Sequence, residues 1–124
     1  MGKRRILIID DEASFTAVVK INLEKTGQYE VTVENKGERA FDTVRACMPD
    51  LILLDIVMPD RSGDDVAAQL KQDETTAHIP IIFLTAVVKK EETEPSGGLI
   101  GGKRFLAKPV SVNELLAAIE KAFA

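Results

Sequence analysis

Five polar side chains stand where this chain could do chemistry: the carboxylates of Asp10, Asp11 and Asp55, the hydroxyl of Thr85 and the ammonium of Lys108. Each closes or follows a short apolar run of the kind a buried strand needs, so each falls at a strand's carboxyl end. Asp55 ends the run Leu51, Ile52, Leu53, Leu54, four large aliphatic residues that suit a strand covered on both faces. A carboxylate in such a place costs free energy unless something pairs with it. In open parallel sheets ligands bind outside the carboxyl ends, where the strand order reverses, and residues far apart in sequence converge there. Two like charges ~4 Å apart repel by roughly 4 kcal/mol at an effective dielectric of 20. Three clustered carboxylates therefore require more positive charge than Lys108 supplies. Hard oxygen ligands, few and near solvent, suit Mg²⁺, which keeps several waters and is commonly shared with phosphate. Mg²⁺, a lysine and a hydroxyl around a carboxylate make a phosphoryl-transfer site, with Asp55 as the nucleophile, since carboxylates form aspartyl-phosphates.

Taken singly, each residue has a plainer explanation. Asp10 or Asp11 can cap the helix that follows, Asp55 can open a turn, Thr85 can be a strand or cap residue, and Lys108 a solvated charge. Cys47 and His78 read as a packing residue and a loop residue. It is the gathering of three carboxylates, a hydroxyl and an ammonium at four strand ends that favours a site.

The elements that must position these residues are legible in the hydropathy pattern. Apolar strands are expected over residues 5–10, 29–33, 79–85 and 104–107, with the run that ends at Asp55 as the third of five. A first helix over residues 13–26 carries Phe15, Val18, Val19 and Leu23 at helical spacing and stops at Gly27. Ala40, Phe41 and Val44 mark a second helix, ended by Pro49. Val66, Ala67 and Leu70 stripe a third after Ser62 and Gly63. Ser111 and Glu114 form a capping box for a last helix whose apolar face is Val112, Leu115, Leu116, Ile119 and Phe123. Strands alternating with helices imply an α/β fold, a parallel sheet covered on both faces. Between the fourth and fifth strands the charged residues 89–94 give way to Pro95 and four glycines within residues 97–102. Any fourth helix there is expected to be short or degenerate, ending by about Pro95, with a loop after it.

Length and charge narrow the remaining choices. The 124 residues suit a single domain over 1–124. A net charge of −4 argues against a nucleic-acid or anionic-membrane surface as the main partner. One cysteine and one histidine make no internal disulfide and no zinc cluster. No apolar run approaches the ~18 residues of a membrane span. The basic start has too short an apolar stretch for a signal peptide, and position 6 is Ile where a myristoylation motif needs Ser or Thr. The expected location is the cytoplasm.

The stretches "ILIIDDE", "PDLILLDIVMPDRSG", "IPIIFLTA" and "FLAKPVS" resemble, in this order and spacing, the receiver domain of two-component response regulators, over nearly the whole chain. The resemblance implies a flavodoxin-like doubly wound sheet in the order 2-1-3-4-5. It implies that Asp55 accepts phosphate from a histidine-kinase phosphohistidine or a phosphotransfer protein. Asp10 and Asp11 would help bind Mg²⁺, directly or through water, with Asp55 and the backbone carbonyl of Val57 as further ligands. Lys108 would pair with the phosphoryl group, and the peptide before Pro109 is expected to be cis. Thr85 would close on a phosphoryl oxygen. Phe105 occupies the place of a switch aromatic, with core packing as its alternative. Val57 and Val87, two past key positions, would set a slow dephosphorylation because neither can orient water. Such a domain is a signalling phosphoacceptor that catalyses only its own phosphorylation and dephosphorylation, acting on an unidentified downstream protein and binding no nucleic acid or membrane itself. The residues show no output domain, so the chain reads as a stand-alone receiver or as a piece of a longer regulator or hybrid kinase.

Three rival functions compete for these residues. Aspartyl-phosphate hydrolases resemble Asp-x-Asp at this point, but Val57 stands where the second Asp would be. A P-loop or flavodoxin-like nucleotide binder needs a glycine-rich cradle where residues 10–12 are acidic. A receiver-like module used only for contacts has no need of Asp55, Thr85 and Lys108 together.

Overall fold

A computed structural model describes residues 2–86, 99–100, 103–108 and 110–124. In chain order its elements are β1 (Arg4–Ile9), α1 (Ala13–Lys25), β2 (Tyr29–Glu34), a 3₁₀ turn (Gly37–Arg39), α2 (Ala40–Cys47), β3 (Leu51–Asp55) and α3 (Gly63–Gln72). There follow β4 (Ile81–Thr85), β5 (Leu99–Ile100), β6 (Lys103–Ala107) and α4 (Val112–Phe123). The five strands β2-β1-β3-β4-β6 are parallel and lie in that order, so the expected 2-1-3-4-5 arrangement holds. Leu99 and Ile100, expected in a loop, pair antiparallel to β6 at the sheet's edge. The expectation of a short or degenerate helix ending by about Pro95 falls on residues outside those described.

The four aliphatic residues of β3 explain why the sheet needs cover on both sides. Leu51 and Leu53 join Ile6, Ile8, Val19, Leu23, Leu115 and Ile119 in a core under α1 and α4. Ile52 and Leu54 point the other way, to Leu7, Ile9, Val44, Val66 and Leu70 under α2 and α3. Every residue of β3 is buried, Asp55 included, as alternation on a two-sided core requires.

Three details differ from the pattern reading. Val18 is 56% exposed: Phe15, Val19 and Leu23 form the i, i+4, i+8 stripe, and Val18 lies about 100° round the helix from Val19. Val112 is 37% exposed because it is the first residue of α4, ahead of the turn that carries the buried Leu115. The fourth strand starts at Ile81, not Ile79. Pro80 has no N–H for the ladder and contributes only its carbonyl, which accepts from the Ile52 N–H at 3.0 Å. The capping box is as expected, with Ser111 Oγ accepting from the Glu114 N–H at 3.1 Å and Glu114 Oε1 from the Ser111 N–H at 3.2 Å.

Candidate functional site

Register brings the polar residues together. Ile9 pairs with Leu54, Asp55 with Leu84, and Thr85 with Ala107, so β1, β3, β4 and β6 all end within a residue or two of one level. Asp10 is fully buried. Its N–H donates to the Glu34 carbonyl at 3.1 Å, and its own carbonyl accepts from Asn35 Nδ2 at 2.7 Å. Its Oδ1 accepts from the Glu12 N–H at 3.0 Å. Glu12 is the N-cap of α1 and makes no side-chain cap bond. Asp10 therefore bonds to the residue before the helix, and the simple helix-cap explanation of this carboxylate does not describe its geometry. Asp11 is exposed.

Asp55 is 4% exposed, and its Oδ1 accepts from the Val57 N–H at 3.3 Å. The loop that leaves β3 folds straight back into α3: the Gly63 N–H donates to the Ile56 carbonyl at 2.8 Å. A Cβ on Gly63 would overlap the Asp55 carbonyl oxygen and crowd Ile56 Cα. Only glycine allows that approach, and Ser62 then caps α3 by accepting from the Asp64 N–H at 3.2 Å.

Lys108 reaches in from the end of β6, its backbone N–H donating to the Thr85 carbonyl at 2.9 Å. Its Nζ lies 2.7 Å from Asp10 Oδ2, 3.0 Å from Glu12 Oε1 and 3.8 Å from Asp55 Oδ1, and 4.7 Å from the centre of the Phe15 ring. One carboxylate oxygen each from Asp10, Asp11 and Asp55 lie within 4.8 Å of one another. Beside them a cavity of about 320 Å³ is lined by Asp11, Glu12, Asp55, Val57, Ala86 and Lys108. Burial, helped by the Asp10 charge, pushes the Asp55 carboxyl up to about 6, against the opposing pull of Lys108 and the Val57 N–H. Burial acts to lower the Lys108 pKa, yet its bonds to Asp10 and Glu12 and the charges of Asp10 and Asp55 outweigh it and raise it. One ammonium thus leaves the cluster short of positive charge.

Asp10, Asp11, Asp55 and Lys108 are brought together as their places at strand ends predict, and Val57, named by the resemblance, lies on the same cavity. Thr85 is fully buried at the end of β4, one residue before the cavity wall at Ala86. Phe105 stands apart: it is half-buried and stacks on Phe83 with ring centres 5.2 Å apart, on the α2 and α3 side of the sheet. Val87 and Pro109 lie outside the described residues. The pattern reading gave no separate part to Glu12, the second anion on Lys108, or to Gly63. Glu12 was in view as the third acid of the 10–12 run, whereas the need for glycine at 63 appears only once the loop closes on β3.

A doubly wound sheet with an acidic cluster and a lysine at its carboxyl edge, beside the point where the strand order reverses, is an α/β architecture in which that edge is where ligands bind. Residues 6–120 match the response regulator receiver domain, and the chain belongs to that family, as a receiver domain of the two-component kind. It is 41% identical over 121 residues to the phosphate regulon transcriptional regulatory protein PhoB of Pseudomonas aeruginosa, covering 97% of this chain and 52% of that protein. It is 36% identical to the alkaline phosphatase synthesis transcriptional regulatory protein PhoP of Bacillus subtilis, covering 94% and 47%. The chain spans about half the length of these curated relatives. Among solved structures, the chemotaxis protein CheY4 of Vibrio cholerae superposes with a TM-score of 0.82 at 25% identity, covering 98% of this chain and 99% of that one. The HemR receiver domain of Leptospira biflexa gives 0.79 at 30%, covering 98% and 95%.

Proposed function

We propose that residues 1–124 act as one phosphoacceptor unit in which Asp55 takes a phosphoryl group from a phosphohistidine on a sensor histidine kinase or phosphotransfer protein. An Asp55 oxygen attacks phosphorus, the phosphorus–nitrogen bond breaks, and the imidazole leaves with its electron pair and picks up a proton from solvent. The observation that carries this is the position of Asp55: last residue of a fully buried strand, on a cavity, with Lys108 3.8 Å away. Asp10, Asp11 and Asp55 suit Mg²⁺, since they are hard oxygen donors within 4.8 Å of one another and short of positive charge. Val57, on the same cavity, would add its carbonyl. When bound, the ion would neutralise charge on the phosphoryl oxygens. Lys108 would turn from Asp10 and Glu12 toward the phosphoryl group, and Thr85 would hold one of its oxygens.

Phosphorylation biases a switch in which Thr85 moves toward the pocket and Phe105 changes its packing on Phe83, because a ligand shifts an equilibrium only by binding one state better. Dephosphorylation is slow: Val57, exposed on the cavity, has no polar group to orient water. The domain turns over no other substrate and works in the cytoplasm. Among the described residues no helix is long and apolar enough to cross a membrane. Its downstream target is a protein, and nucleic acid is contacted by other parts of a regulator, if at all. The test is intact mass after treatment with acetyl phosphate and Mg²⁺. The parent should gain one phosphoryl group and Asp55→Asn none, and an undiminished gain in the variant would overturn the assignment.

A further inference from the structure

The acid pocket is built from two separate arms, the β1–α1 turn that carries Asp10 and Asp11 and the β3–α3 loop that carries Val57 behind Asp55. Neither arm is held by the other alone. Both are gripped by a third segment, the connection that follows β2, which contributes no residue to the cavity. Asn35 Nδ2 donates to the Asp10 carbonyl at 2.7 Å and to Thr16 Oγ1 at 3.0 Å, and Thr16 is itself buried in α1. Two residues on, the chain grips the other arm: the Gly37 N–H donates to Asp60 Oδ1 at 3.2 Å and the Glu38 N–H to Asp60 Oδ2 at 2.9 Å. A Cβ at Gly37 would crowd Asp60 Oδ1, the Arg61 carbonyl and Arg61 Cβ, so this contact is close as well as doubly bonded. The sequence separations are 25 residues for the Asn35 bond and 22 to 23 for those of Asp60, which makes each a tertiary tie and not a local turn.

We infer that residues 35–38 act as a bracket that sets the spacing of the two acidic arms, with Asn35 and Asp60 as positioning residues for the cation-binding geometry of Asp10, Asp11, Asp55 and Val57. This rests on the Mg²⁺ reading above. A small divalent ion demands near-ideal ligand placement, and outer partners that orient its ligands govern its affinity without touching it. The bracket acts through backbone: Asn35 on the carbonyl of Asp10, and Asp60 on the loop that begins at Val57.

Mg²⁺ affinity, measured by calorimetry on the unphosphorylated chain, tests this without recourse to activity. Asn35→Ala and Asp60→Ala should each weaken Mg²⁺ on the order of tenfold, as loss of an outer-shell partner does. Asp60→Asn, which keeps one acceptor oxygen of two on an exposed side chain and so leaves the fold intact, should recover part of the loss. A tie that merely stabilised the fold would lower the unfolding midpoint of the metal-free variants and leave the affinity alone. Affinities within twofold of the parent in Asp60→Ala and Asp60→Asn would therefore overturn the bracket. A parent that binds no Mg²⁺, or binds it equally after Asp11→Ala, would overturn the metal reading itself.

Discussion

Two sets of aspartates in this small chain are used in opposite ways. In the pocket, Asp10 and Asp55 are buried, share one ammonium, and Asp55 accepts a single long backbone bond. In the turns, Asp60 is exposed and accepts at both oxygens, and Asp73 is half-buried and accepts twice at Oδ1. Asp60 is held below the usual carboxylate range by the Glu38 N–H first, then by neighbouring backbone N–H groups. Asp73 is held low by the Thr75 hydroxyl at 2.6 Å and the Thr75 N–H at 2.9 Å. Burial drives the Asp55 carboxyl the other way, to about 6. The turn carboxylates are already satisfied by the chain and stabilise it. Those of the pocket remain short of positive charge, which a bound cation would supply.

The largest expected effect comes from removing the Lys108 ammonium, the only one at the pocket among the described residues. In Lys108→Met the Asp10 carboxylate, fully buried, loses its 2.7 Å partner. Breaking a buried pair from one side costs about 3 to 5 kcal/mol. The raised pKa of Lys108 means its contribution is present throughout the neutral range and is lost only as pH rises past its own high value. Urea unfolding of the metal-free variant at pH 7 should show the loss. An unchanged midpoint at pH 7 would mean that the lysine is only a surface charge.

The second effect has the opposite sign. Because the folded state holds the Asp55 proton up to about 6 and the unfolded chain releases it near 3.8, the folded form binds more protons between those values. Stability therefore falls as pH rises through that window. Asp55→Asn removes this dependence and should make the metal-free protein more stable at pH 7, by at most about 3 kcal/mol on the scale of 1.36 kcal/mol per pKa unit. Saturating Mg²⁺ should narrow the gap by stabilising the parent. A variant less stable than the parent at pH 7 would erase the distinction between pocket and turn aspartates.

How far the sequence alone reaches can be seen in the same residues. The unbroken aliphatic run before Asp55 has no other comfortable home than a two-sided sheet, so the fold and the position of Asp55 both follow from it. Lys108 and Asp10 could be placed at strand ends by the same logic. Helical spacing could not tell Val18 from Val19, since both lie within one broad stripe and only the packing of α1 on the sheet chooses between them. The Phe105 position was legible and its packing on Phe83 was not, for a half-buried strand residue can face either side of its strand. Asn35 and Asp60 were invisible because their bonds go to backbone groups more than twenty residues away, and turn-forming residue types such as Asn and Asp suggest local bonds first.

The smallest expected effect belongs to Asp73. It ends α3 in extended conformation, and both of its bonds run to Thr75, well away from the cavity. Its lowered pKa places its contribution above the ordinary carboxylate range, to be lost as pH falls through its own lower value. Asp73→Ala should lower the unfolding midpoint slightly at pH 7, and the difference from the parent should vanish in strong acid. A carboxylate that stays partly in solvent and bonds only locally is worth little in stability, so the shift should be well below that of Lys108→Met. Mg²⁺ affinity should stay at the parent's value, in contrast to Asp60→Ala, although both are aspartates outside the cavity that accept from backbone N–H groups. The difference that matters is what the bonds tie down: those of Asp73 hold Thr75, two residues on, at a turn end, whereas those of Asp60 hold a wall of the pocket to a segment more than twenty residues away. If Asp73→Ala weakened Mg²⁺ as much as Asp60→Ala, the loss would reflect general loosening of the fold, and no carboxylate outside the pocket could be said to position it.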